Sequence, residues 1–134
     1  MINPTLSLLK LLSQNNFGKI DQTLFWEKLG IDKDGIYISS IGEAQDLHGR
    51  RSQSYQLMSR ASNDMEAYEK LAQVVEFINN SYSVCELPRV QSKSGKTLAE
   101  AIGNVSLMKV STISNGGLDA NSRVVWTATG RIEY

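Results

Sequence analysis

The stretch that decides the fold is Tyr55-Gln56-Leu57-Met58-Ser59-Arg60-Ala61-Ser62-Asn63-Asp64, running directly into Met65-Glu66-Ala67-Tyr68-Glu69-Lys70-Leu71-Ala72-Gln73-Val74-Val75-Glu76-Phe77-Ile78-Asn79-Asn80. In the second half, Met65, Tyr68, Leu71, Ala72, Val75 and Ile78 recur at spacings of three and four, against Glu66, Glu69, Lys70, Gln73 and Glu76. That period marks an amphipathic helix with one buried face. Ser62 or Asn63 caps its start, with Glu66 three residues beyond Asn63 in capping-box spacing, and Asp64 and Glu66 meet the positive end of the helix dipole. In the first half the period drops to two: Gln53, Tyr55, Leu57 and Ser59 alternate with Ser52, Ser54, Gln56 and Met58 from Arg51 to Ala61, as in a strand with one partly apolar face. A strand passing straight into a helix predicts a helix laid across a sheet.

Working outward, Asp34-Gly35 is a turn signal and Ile36 to Ile41 a β-branched strand. The polar stretch from Gly42 to Arg50 reads as a loop or long hairpin connection. Near the N-terminus, Pro4 opens a helix over about Thr5 to Gln14, with Leu6, Leu9 and Leu12 at three-residue spacing. The segment Thr23 to Leu29 fits either a short helix or an irregular apolar stretch, and the conformation of residues 21–34 stays open. Downstream we expect a strand from Tyr82 to Val90, limited by Pro88, and a flexible polar tip from Gln91 to Lys96. A strand from Asn104 to Ile113 should follow, its apolar face shifting at Leu107–Met108 as at a bulge. After a polar turn from Ser114 to Asn121 comes the closing strand. There Val124, Trp126, Ala128, Gly130 and Ile132 face one way, and Thr127, Thr129, Arg131 and Glu133 the other. The order predicts an α+β fold: a mainly antiparallel (mixed) sheet with two helices packed on one face.

The chain's 134 residues suit one domain, 1–134, and its 41% hydrophobic and 21% charged residues are ordinary for a folded protein. Lys plus Arg and Asp plus Glu are both 14. That balance argues against a dedicated nucleic-acid binder, which carries a basic excess to displace counterions. It also leaves self-association unopposed by charge. A single cysteine, Cys85, fits a reducing compartment. The apolar run Leu6–Leu12 is interrupted by Lys10 and lacks a cleavage site, and no run approaches the ~20 residues of a membrane span. We therefore expect a soluble protein made in a cytoplasm, without membrane contact.

Signals for chemistry are sparse. His48 is the only histidine, lies in a Gly-flanked polar loop, and reads as a surface loop residue. Gly-x-Ser-x-Gly is absent. Ser94-Gly95-Lys96-Thr97 has the ending of a phosphate-binding loop without its upstream glycine, so a flexible tip is the better reading. We expect no catalytic residue, no cofactor and no metal. For assembly, Arg50, Arg51 and Arg60 flank the second strand and either contact an acidic patch or passing DNA, or remain solvated edge charge that discourages aggregation. Trp26 is the better interface anchor, because the alternation partners of Trp126 place it in the core. Lys93 and Lys96 on one tip, and Asp119 and Arg123 on the closing turn, complete the candidate interface.

Three stretches carry a resemblance. They are Gly35-Ile36-Tyr37-Ile38-Ser39-Ser40-Ile41-Gly42, the strand-to-helix step Tyr55–Asp64 continuing through Ala67-Tyr68 and Leu71-Ala72, and the turn Gly117–Arg123 with the strand Val124–Tyr134. From about Gly35 to Tyr134 the chain resembles the tail-terminator and minor-capsid (head–tail joining) proteins of long-tailed bacteriophages. In that family a strand ending in an Arg-Ala-like step leads directly into the covering helix. The proline often found before the closing turn is replaced here by Ile113-Ser114-Asn115. The resemblance implies a virion protein of the tail or neck, made in the host cytoplasm. It implies a homo-oligomeric, commonly hexameric, ring bound to the major tail protein and head-connector proteins, with DNA passing through unread. Two other readings remain: a non-enzymatic intracellular α+β binding or adaptor module, and a small enzyme using carboxylates such as Glu43 and Asp46.

Overall fold

A computed structural model of the chain describes residues 1–27, 33–81 and 86–134. Two helices and eight strands occur among them: α1 (Pro4–Gln14), β1 (Leu24–Trp26), β2 (Gly35–Gln45), β3 (Arg51–Arg60), α2 (Asp64–Asn79), β4 (Val90–Gln91), β5 (Thr97–Ala99), β6 (Leu107–Val110), β7 (Ser114–Leu118) and β8 (Val124–Glu133). The main sheet has the order β1-β2-β3-β8-β6, and β7 pairs with the other end of β8. β1 lies parallel to β2 and every other pairing in this sheet is antiparallel. β4 and β5 form a separate small hairpin. The expected α+β class, with a mixed, mostly antiparallel sheet, is what the molecule has.

Both helices cover one face of the main sheet. Leu8, Leu9 and Leu12 of α1 and Leu71, Val74 and Ile78 of α2 share one buried cluster with Leu24, Ile36, Ile38, Tyr55, Leu57, Ala128 and Ile132. Register explains which strand residues contribute: Ile38 pairs with Leu57 and Leu57 with Ala128, so one side of each pleat converges on the helices. On the opposite side, Phe25 and Tyr37 stack at 4.8 Å, with the Arg60 guanidinium 5.3 Å from the Tyr37 ring.

The helix ends follow local chemistry. Asn3 and Pro4 start α1, the Asn3 side chain accepting from the Leu6 amide. At α2, Asn63 Oδ1 accepts from Met65 N at 2.9 Å and Glu66 N at 3.2 Å. Only half of the expected capping box forms, because Glu66 pairs with Lys70 at 3.2 Å. The buried face of α2 is also rotated from the expected one. Ala67, Leu71, Val74 and Ile78 are buried, while Met65 is 75% and Tyr68 41% exposed. The first turn of α2 lies over the sheet's margin, where Tyr68 meets Trp126 edge to face at 5.1 Å.

Several strand boundaries differ from expectation. Of the two readings for the polar stretch from Gly42, a loop or a long hairpin connection, the hairpin holds: β2 continues to Gln45, with a register shift between Ser40 and Gly42, because β3 supplies backbone partners regardless of side-chain polarity. β3 itself stops at Arg60. The turn expected at Ser114–Asn121 is narrower, since Ser114–Leu118 forms β7 on the edge of β8. The strand expected over Asn104–Ile113 contracts to β6, whose pairing with β8 runs unbroken from Leu107 to Val110. The expected strand Tyr82–Val90 lies partly outside the described residues. Its remainder gives a single bridge, Leu87 to Ile102, and then β4, so Gln91 belongs to a strand and the tip begins at Ser92. In the open segment Thr23–Leu29, Leu24–Trp26 is β1, while Lys28 and Leu29 lie outside the described residues. Cys85 does too.

Candidate interface sites

The eight interface candidates fall into three groups in space. The first is an ion-pair network at one end of the sheet. Asp119 opens the β7–β8 turn, its Oδ1 accepting from the backbone amides of Asn121 and Arg123 at 2.9 Å each. Its Oδ2 accepts from Arg123 Nε at 3.0 Å and lies 3.7 Å from Arg60 Nε. Arg123 also pairs with Asp34. With only 3% of the Asp119 side chain exposed, this carboxylate ties the last turn to the end of β3. The Arg123 amide foremost, then the Asn121 amide and the Arg123 guanidinium, hold the carboxyl below its ordinary range, against the opposing effect of desolvation. Arg60, Asp119 and Arg123 are thus joined within the chain.

The second group lies where β3 begins. Arg50 Nη1 donates to Ser106 Oγ at 3.0 Å and stands 3.8 Å from Glu133. The Arg51 guanidinium sits 5.3 Å over the Tyr134 ring, while the Arg51 and Tyr134 backbones exchange hydrogen bonds of 3.0 and 2.9 Å. These contacts brace the β2–β3 hairpin against the C-terminal strand.

The third group is Trp26, Lys93 and Lys96, which border one amphipathic groove of about 830 Å³. The groove runs between α1 and the β4–β5 hairpin. Leu6, Val90 and Ala99 pack as a small buried cluster, and Trp26 joins it to the main core. The indole of Trp26 donates to Thr5 Oγ1 at 2.9 Å, which fixes the ring as part of the groove wall. Leu98, 41% exposed, adds apolar surface. Lys10, Lys93 and Lys96 line it, with Asp21 as its one acidic residue. Among the described residues none of these three lysines makes an ion pair.

Within the Gly42–Arg50 connection, a candidate contact surface from the sequence, Leu47 was not singled out. Every residue from Ser40 to Arg51 is exposed, whereas Gln53 and Tyr55 of the facing strand are buried and β3 is bonded to the C-terminal strand out to Arg51, so the β2–β3 hairpin stays in the sheet and its turn forms an exposed end. Asp46 closes its tip, Oδ1 accepting from the amides of His48 and Arg50 at 2.9 Å each. Leu47, held in that turn, is fully exposed. An isolated leucine among Asp46, His48 and Gly49 is the available signal, since polar turn stretches rarely need one. Glu43, Asp46 and His48, the other chemistry-bearing residues of this stretch, are exposed there. Among the described residues no three His, Cys, Asp or Glu side chains converge as a metal-ligand set, and no helix is long and apolar enough to cross a membrane.

Compared with known proteins, the chain matches the model of no protein family and no curated protein.

Proposed function

We propose that this chain is a virion structural protein of the tail-terminator or head–tail joining kind, assembling into a ring between the tail tube and the head connector. The observation that carries the proposal is the exposed end of the β2–β3 hairpin, where a fully exposed Leu47 is held by an Asp46-capped turn. An exposed leucine gains free energy by burial against another surface. A terminator needs unlike faces, and two different patches that fit one another generate rings when the rotation between subunits closes. The sequence resemblance supplies the virion setting and a six-subunit expectation. Equal numbers of basic and acidic residues suit a channel through which DNA moves without being gripped.

The test is negative-stain microscopy and light scattering of the purified chain over a range of concentrations, together with removal of the protein from its virus. Rings with a central hole, and particles whose heads and tails fail to join or whose tails have the wrong length, are the expected results. A persistent monomer that captures a peptide would instead favour the adaptor reading.

A further inference from the structure

We propose that the outer face of α2 in one copy docks into the Trp26–Leu98 groove of a second copy. This inference rests on the ring reading and names the subunit contact that would build it. With 3.6 residues per turn, the arc of α2 from Tyr68 through Ala72, Met65 and Glu76 to Glu69 covers about 100° of the helix. It turns away from the buried face formed by Ala67, Leu71, Val74 and Ile78. Met65 is 75% and Tyr68 41% exposed, so the arc carries uncovered apolar surface. Its charge is all of one sign. Glu69 and Glu76 are exposed, and among the described residues neither makes an ion pair. Lys70, the one basic residue of α2, lies outside the arc and pairs with Glu66 at 3.2 Å. The groove is the chemical complement. Half-buried Ile20 and Trp26 and exposed Leu98 give it accessible apolar surface, and Lys10, Lys93 and Lys96 give it positive charge against Asp21 alone.

A chain cannot fill its own groove this way. Tyr68 meets Trp126 of β8 at 5.1 Å, which places the arc on the β8 side of the sheet. The groove borders Trp26 of β1, and β2 and β3 lie between those two strands. Arc and groove can therefore meet only between molecules. They are different patches turned toward opposite ends of one sheet, so the contact is heterologous and propagates from copy to copy until the rotation closes it. A helix laid in a groove is anchored by its apolar side chains, here Met65 and Tyr68, while the acids and lysines set its register. Charge selects this face over the β2–β3 turn. That turn sets Arg50 and Arg51 beside Glu43 and Asp46 and offers the lysines no net attraction.

An exchange of charges tests this. The double variant Glu69→Lys and Glu76→Lys, at two exposed positions, should keep the circular dichroism of the parent and weaken association about tenfold or more in sedimentation velocity. Lys93→Glu with Lys96→Glu should do the same from the groove side. A chain carrying all four substitutions should recover association to within about threefold of the parent, because the attraction returns with its signs reversed. If the parent chain forms rings that either double variant leaves intact, the docking inference is overturned and the ring reading stands. If each double variant dissociates the rings and the combined variant does not recover, the two faces do not meet and the docking inference is again overturned. A parent chain that stays monomeric at every concentration overturns both.

Discussion

Asn79, the last residue of α2, and Val110, the last of β6, are joined through both ends of one amide: Asn79 Nδ2 donates to Val110 O at 3.2 Å and Val110 N donates to Asn79 Oδ1 at 2.9 Å. The side chain imitates the backbone of a further strand. It holds β6 between the helix and β8, where Val110 also pairs with Gly130. Asn79→Ala leaves a half-buried amide and carbonyl without these partners. The expected loss of stability is about 1–3 kcal/mol by urea unfolding. Faster hydrogen exchange in β6 than in β3 should accompany it.

Gly130 is required by Tyr55. A Cβ on Gly130 would lie 2.5 Å from the Tyr55 hydroxyl and 2.6 Å from the Lys109 carbonyl, with Tyr55 fully buried. Gly130→Ala must push either the ring or β6 aside, and overpacking of this kind costs about 1–3 kcal/mol. The midpoint of thermal unfolding should fall accordingly.

Among the described residues the Tyr55 hydroxyl has no hydrogen-bond partner. Burial raises its pKa far above the ordinary 10.0. The unfolded state then releases its proton first, so stability is whole below about pH 10 and declines as the pH rises above it. Tyr55→Phe should remove that alkaline decline. At pH 7 it should match or exceed the parent, by up to about 1 kcal/mol, because a buried unpaired hydroxyl is lost. A parent and variant with parallel pH profiles above pH 10 would contradict this.

Asp119 works in the opposite direction. Its carboxyl titrates below the ordinary 3.8 in the folded chain, so the unfolded chain binds more protons in that range. The stabilisation is present above about pH 4 and is lost as the pH falls through the lowered value. Asp119→Asn should lower the unfolding midpoint at pH 7, and its difference from the parent should shrink in acid. Urea titrations at a series of pH values measure both.

Asn63→Ala tests the start of α2. Two amides lose the acceptor that satisfies them, and caps of this type are worth about 1 kcal/mol. Asn63→Asp should keep the stability of the parent, since it retains the acceptor beside the helix dipole.

Much of this architecture was legible in the chain because it is set by local chemistry. Pro4 and Asn63 start helices wherever they stand before an apolar period. The alternation of Gln53, Tyr55, Leu57 and Ser59 names the buried face of β3 without reference to its neighbours. Legibility ended where pairing overrode composition. Glu43, Ala44 and Gln45 look like loop, yet they complete β2 because β3 offers free backbone partners at Gln53, Ser52 and Arg51. Ser114 to Leu118 likewise looks like a turn and becomes an edge strand on β8. The interface candidates were identified one at a time by charge or ring. Their grouping was not legible, since Trp26 and Lys93 are far apart in sequence and meet only across a groove between α1 and a small hairpin.

By itself, the sequence determined the class of fold, the two helices and the strand faces, because hydrophobic period and capping act over a few residues. Only the tertiary structure decided that Asp119 gathers Arg60 and Arg123, that Leu47 stands uncovered at the β2–β3 turn, and that three lysines share one groove with Trp26. Those relations depend on which distant segments the sheet order brings side by side, and no short-range pattern in the chain encodes that order.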